Sequence, residues 1–240
     1  MQNRYVGDTG DFGKYLLLKY LCRDDFQLGV NWCLVDDEEQ NNDGRHIDYL
    51  QNESGVYFES DSDLFYKLKE IVMSQRRDVF HVEKQGVLPS STIFFSKIIP
   101  NYTDRFNWHD NSLEHLKNSD IIFYDPDNGI ETQSYGKLHP KAVKYVYFDE
   151  IRDAYRNKKS IIIYQHTNRR QKVEAQINKR IDQLSKCLRI SDKSIGIVYS
   201  GQGTSRFYLI VKHSEHVKEI NRNLKLIEEK KAHQILKIYR

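Results

Sequence analysis

The sequence predicts an α/β protein: a mostly parallel sheet with helices on both faces and an antiparallel hairpin at its C-terminal end. Three observations predict it. Short apolar runs rich in β-formers, such as Ile121–Tyr124 and Ser160–Tyr164, read as strands buried on both sides. Stretches with apolar residues three and four apart separate them, and alternating strands and helices make parallel sheets covered by helices. Near the end, Ile195–Ser200 and Arg206–Val211 follow one another through Gly201-Gln-Gly203, which reads as a hairpin.

In chain order, Asp11 or Thr9 is expected to cap a first helix carrying Phe12, Tyr15, Leu16 and Tyr20. Leu28–Val35 is a buried strand that stops in the polar loop 36–44. Residues 61–77, with Leu64, Phe65, Leu68, Ile71 and Val72, read as a capped helix. Thr92–Phe95 is a short strand and Asn111–Lys117 a helix. Ile121–Tyr124 runs straight into the turn Asp125-Pro-Asp-Asn-Gly129. A helix over Tyr145–Tyr155 precedes the strand Ser160–Tyr164 and the polar stretch Gln165–Arg170. Val173, Ile177, Ile181, Leu184 and Leu188 mark one face of a basic helix. A last basic helix spans roughly 215–237, with Val217, Ile220, Leu224 and Ile227 inward.

The chain has 240 residues and is 39% hydrophobic, 12% aromatic and 30% charged. Aromatic content at that level is foreign to disordered chains. No apolar run approaches the roughly 18–20 residues of a membrane span, and Met1-Gln-Asn-Arg-Tyr5 is not a signal peptide, so no membrane partner is expected. Three scattered cysteines (Cys22, Cys33, Cys187) imply neither a disulfide framework nor a zinc motif, and a reducing cytoplasm is the expected setting. With no repeat and no linker, residues 1–240 read as one α/β domain. The net charge of +3 hides a division: 168–240 holds 17 Lys/Arg against 7 Asp/Glu, a charge of +10, whereas 1–167 holds 20 against 27, a charge of −7. A basic third attached to an acidic remainder points to a polyanion.

In open sheets of this class ligands bind beyond the carboxyl ends of the strands. Three polar segments fall there. Asp125, Asp127 and Asn128 follow the clearest strand; two carboxylates and an amide at a strand end can hold a metal, orient a water or accept from a base amine. As a bare turn, the same residues need no function. Asp36, Asp37, Glu38, Glu39 and Asp43 crowd the loop after the first strand, where one carboxylate facing the crevice can act as a base or metal ligand, Asp36 being nearest the strand end. His166, Arg169 and Arg170 open the basic helix, and Lys172, Lys179, Arg180, Lys186 and Arg189 extend a patch suited to phosphates. Gly7-Asp8-Thr9-Gly10-Asp11-Phe12-Gly13-Lys14-Tyr15 opens the first helix, where backbone amides can cradle an anion, although it is not a Walker loop.

The order of these pieces resembles the adenine-N6 methyltransferases that act on nucleic acid, particularly the large-subunit ribosomal-RNA enzyme. That family opens with His-Ala-Gly-Asn-x-Ala-Asp-x-x-Lys-His, similar to Val6–Tyr15 here with Asp11 and Lys14 in the matching places. Its Asp-Pro-Pro-Tyr motif is matched by Asp125-Pro126-Asp127-Asn128. A Tyr-x-x-x-Arg stretch after its fifth strand is similar to Tyr164–Arg169, and its glycine-containing antiparallel ending resembles Tyr199–Val211. The resemblance implies a Rossmann-like, methyltransferase-like fold and a nucleic-acid partner. It also exposes departures. The glycine-rich cofactor loop is replaced by 36–45, with one glycine and many carboxylates, and the second proline and stacking aromatic by Asp127 and Asn128.

Lost cofactor loop and gained carboxylates favour hydrolysis over methyl transfer. The leading expectation is carboxylate-dependent base excision, with an extruded nucleotide in the crevice, DNA favoured over RNA. Asp125 or Asp36 would activate water or stabilise the sugar cation, Asn128 would read the base edge, and Arg169 with the basic helices would hold phosphates. Asp8, Asp11, Lys14, Asp37 and His166 are further site candidates. Action on modified foreign DNA in defence is compatible with this reading. The alternatives are an S-adenosylmethionine-dependent adenine-N6 methyltransferase, a Mg²⁺-dependent nuclease and a non-catalytic nucleic-acid-binding module; no cofactor is favoured.

Overall fold

The computed structural model describes residues 1–240 apart from 24, 38–43, 101, 133–135, 169, 204 and 240. Helix α1 (Thr9–Cys22) leads into strand β1 (Leu28–Asn31). Helices α2 (Val56–Ser60), α3 (Ser62–Met73) and α4 (Val79–Lys84) precede β2 (Ile93–Phe95), and α5 (Arg105–His115) precedes β3 (Ile121–Tyr124). A short pair, β4 (Gly129–Ile130) and β5 (Tyr145–Val146), comes before α6 (Phe148–Arg156) and β6 (Ser160–His166). Then follow α7 (Val173–Leu188), β7 (Ile195–Ser200), β8 (Arg206–Val211), α8 (Val217–Glu229) and β9 (Lys237–Tyr239).

Seven strands form one sheet in the order β2-β1-β3-β6-β8-β7-β9, and β4 pairs with β5 separately. Strands β2, β1, β3 and β6 are mutually parallel, whereas β8 runs antiparallel between β6 and β7, and β9 runs antiparallel to β7. The fold is therefore Rossmann-like α/β with antiparallel C-terminal strands, as the alternation of elements predicts. Register explains both cores. Val30, Phe123, Ile162 and Ile210 align across four strands and pack under α1, α3 and α8. One residue away, Ile122, Ile161, Val211 and Ile195 align and pack under α5, α6 and α7. Period-two alternation sends neighbours to opposite faces, so a strand covered on both sides must be apolar throughout.

Several boundaries differ from expectation for local reasons. Strand β1 stops at Asn31 rather than Val35, because Cys33 takes a left-handed backbone (φ 45°) while its N–H donates to the Asn31 side chain at 3.0 Å. The cap of α1 is Asp8, whose carboxylate accepts from the Asp11 N–H at 2.8 Å. Helix α5 begins at Arg105, earlier than the periodicity suggests, because that arginine is buried in an ion pair. Tyr145 and Val146 form β5, and α6 starts only after the Tyr147 N–H has found the Glu150 carboxylate. The last helix ends at Glu229, and the expected helical tail turns into β9 on the sheet edge. Among the described residues, no helix is long and apolar enough to cross a membrane.

Candidate functional site

The strand order reverses between β1 and β3: β2 lies on one side of β1, and the chain then returns to place β3 on the other. Beyond the carboxyl ends of β3 and β6 opens a cavity of about 1190 Å³. Four carboxylates line it, Asp8 and Asp11 from the first turn of α1 and Asp125 and Asp127 from the turn after β3. Lys14, one helical turn beyond Asp11, lies between the two groups. Its Nζ stands 2.7 Å from Asp11 Oδ1 and 2.6 Å from Asp125 Oδ2, with both side chains about as buried as its own. The Tyr15 hydroxyl donates to the other Asp11 oxygen at 2.9 Å.

Asp127 has a separate partner set. The amino group of Met1 stands 3.0 Å from its Oδ1, the Gln2 amide donates to Oδ2 at 2.5 Å, and Lys144 Nζ lies 3.9 Å away. The same amino group donates to the carbonyls of Cys33 and Asp125 at 3.0 and 2.8 Å, and Val35 N–H donates to Met1 O. Met1 thus sits between the residues that follow β1 and those that follow β3. That is the crevice in which a nucleotide cofactor binds in open sheets of this kind.

These environments separate the acids. Burial pushes Asp125 above the usual carboxylate range, although Lys14 and the amino terminus pull the other way. Burial and the neighbouring Asp11 charge do the same to Asp8, against Arg206. Asp127 is also desolvated, yet the amino terminus and Gln2 hold it below the usual range. Lys14 loses hydration but gains two carboxylates, and the net effect raises its pKa. A site that holds one carboxylate ionised while raising two others has the means for proton transfer.

Arg206 completes the inner wall. It is buried, with its guanidinium 5.9 Å from the Tyr164 ring centroid, and fills the space a side chain at position 10 would take: a Cβ on Gly10 would stand 1.1 Å from Nη1. At Gly129 the backbone (φ +103°) and the closeness of Gln165 demand the same absence. Gln165 fastens the turn after β3 to β6, donating to Asn128 O and accepting from Ile130 N–H, both at 3.0 Å.

Of the candidates named from sequence, Asp8, Asp11, Lys14, Asp125, Asp127, Asn128, His166 and Lys172 line this one cavity. Asp36 and Asp37 do not; both are exposed, and Asp37 accepts from the Arg4 N–H at 3.3 Å, so the departure of the backbone at Cys33 turns that loop away. Arg170 and Lys179 are exposed outside the cavity lining. Arg180 is a correction to the phosphate patch: its guanidinium donates to the carbonyls of Ile130 and Glu131 at 2.8 and 2.9 Å, and burial lowers its pKa to about 10. Arg169, with Glu38, Glu39 and Asp43, lies outside the described residues. Sequence reading missed Arg206, Arg45, His46 and Met1 and held Tyr164 only as the start of a motif; all five line the cavity. Arg206 was legible in principle. An antiparallel strand reaches the carboxyl edge of its parallel neighbours with its first residue, and Arg206 opposes His166 there.

Among the described residues, no group of three or more His, Cys, Asp or Glu side chains is arranged to hold a metal ion. Met1 stands in the crevice between β1 and β3, its amino group held by the carbonyls of Cys33 and Asp125. Compared with known proteins, the chain matches neither a family model nor a curated sequence.

Proposed function

We propose that the cavity is the active site of a nucleic-acid-processing hydrolase that removes a base from DNA. The observation that carries this reading is the convergence, in one cavity at the carboxyl edge of the sheet, of acids with opposed proton affinities and of cations able to take phosphate. Asp125, Asp8 and Asp127 supply the acids, and Arg45 and Lys172 are the cations. A cavity of about 1190 Å³ accommodates an extruded nucleotide. Water attacks C1′ of the deoxyribose as the bond to the base breaks; the bonding pair leaves with the base, which takes up a proton. Asp125, desolvated and beside Lys14, receives the proton of the attacking water and offsets positive charge at the sugar. Asn128, held by Gln165 through its carbonyl, reads the edge of the base with its side chain.

The position of Met1 supports hydrolysis over methyl transfer, because it occupies the crevice a nucleotide cofactor would need. The test is incubation with unmodified and base-modified DNA, followed by alkali and electrophoresis. Alkali-labile sites that Asp125→Asn abolishes are expected, with the variant's melting measured in parallel. Intact strands on every substrate would overturn the reading.

A further inference from the structure

Immediately after Asn128 the chain leaves the site, and at Lys144 it returns. From Gly136 to Phe148 this excursion carries Lys137, His139, Lys141 and Lys144 and no Asp or Glu, within a part of the chain that is otherwise acidic. It is fixed at both ends. The Asn128 N–H donates to Lys144 O at 2.9 Å, and β4 pairs with β5 in parallel. From beneath, the buried Arg105 guanidinium donates to the carbonyls of Ala142 and Tyr145 at 3.1 and 2.7 Å while gripping both oxygens of Glu150. Arg180 ties β4 to α7, eight residues or about 12 Å of helix from the cavity-lining Lys172.

On this anchored segment Leu138 is 73% exposed, one of the most exposed large apolar side chains of the protein. Lys137 beside it pairs with Asp149 at the surface, a pairing of the kind worth little in water and readily exchanged for a phosphate. An exposed apolar residue among cations, on a segment joined at Lys144 to the turn that lines the cavity, matches how DNA-binding proteins contact a backbone while pressing an apolar side chain against sugars and bases.

We propose that residues 136–146, with the first turn of α7, are a DNA-backbone contact surface. Lys137 and Lys141 contact phosphates, and Leu138 packs against the strand from which the nucleotide is extruded. This rests on the nucleic-acid reading of the cavity. Because the segment is anchored before binding, little ordering entropy opposes contact.

The test is fluorescence anisotropy with a labelled short DNA duplex over salt from about 50 to 200 mM. The double variant Lys137→Gln/Lys141→Gln is expected to bind about tenfold or more weakly, with a slope of log affinity against log salt shallower by about 1.8, two phosphate contacts' worth. Leu138→Asn, which removes the apolar contact without adding charge, weakens binding too, but leaves the slope unchanged. Lys158→Gln, at the amino-terminal end of β6 and so away from the cavity, binds as the unaltered protein does. Melting curves confirm that each variant is folded. Unaltered affinity and slope in the double variant would overturn this surface while leaving the cavity reading intact, and unaltered binding by Leu138→Asn would remove the apolar contact. Absence of any salt-dependent binding by the unaltered protein would overturn both.

Discussion

Replacing Lys14 by Met keeps the length of the side chain and removes only the charge and its hydrogen bonds. Lys14 is buried, and its ammonium is the cation nearest both Asp11 and Asp125, at 2.7 and 2.6 Å. Removing one partner of a buried ion pair leaves an uncompensated charge and costs about 3–5 kcal/mol. In a chain of this size each kcal/mol lowers the melting temperature by about 2–4 °C, so Lys14→Met is expected to melt about 6–20 °C lower at neutral pH. The deficit also has a sign in pH. Asp125 already has a raised pKa, and without Lys14 it rises further, so the folded state of the variant binds more protons than the unfolded chain. The penalty is therefore small in acid, where both states are protonated, and grows as pH rises through the raised pKa. Calorimetric melting of Lys14→Met, Asp125→Asn and the double variant measures this. The double variant is expected to lose less than the two single losses together. A Lys14→Met protein that melts within about 2 °C of the parent, or strictly additive losses, would show that the cluster is not the coupled unit described.

Other outcomes follow from the same geometry. Asp8→Asn keeps a side chain able to cap α1 but removes a carboxylate whose pKa is raised, so it should melt higher than the parent near pH 7, with the difference vanishing toward pH 3. Gly10→Ala places a methyl group in the Arg206 guanidinium; a loss of about 1–3 kcal/mol is expected by thermal melting, most of it absent in an Arg206→Ala background. Burial pushes the Cys33 thiol up to about 12 and raises Cys22 also, whereas Cys187 is half-buried, so a thiol reagent on the native protein should modify Cys187 first. Early modification that persists in Cys187→Ser would contradict that burial pattern.

The legible part of the fold was set by short-range physics. The runs Ile121–Tyr124 and Ser160–Tyr164 are apolar because both faces of the sheet are covered, and Gly201–Gly203 marks the hairpin because the chain must reverse there. Asp125 to Asn128 were legible because a polar turn after a buried strand falls at the carboxyl edge. What stayed hidden depends on tertiary partners. Strands β4, β5 and β9 are two or three residues long, too short for any period, and exist through pairing alone. Asp36 looked like a strand-end acid, but the left-handed turn at Cys33 takes it outward. Arg180 looked like part of a phosphate patch because its helix is basic, yet it faces inward onto two carbonyls. Nothing local marks Met1 as the occupant of the switch-point crevice, since its partners Cys33 and Asp125 are far along the chain.

Released base is the direct product of the proposed reaction, and mass spectrometry of the small-molecule fraction detects it without any assumption about strand breakage. With the unaltered protein and base-modified DNA, one free base should appear for each abasic site formed, and Asp125→Asn, shown by melting to be folded, should release none. Strand scission or methylated base without free base would contradict base excision, and equal release by Asp125→Asn would contradict the role given to the carboxylate beside Lys14.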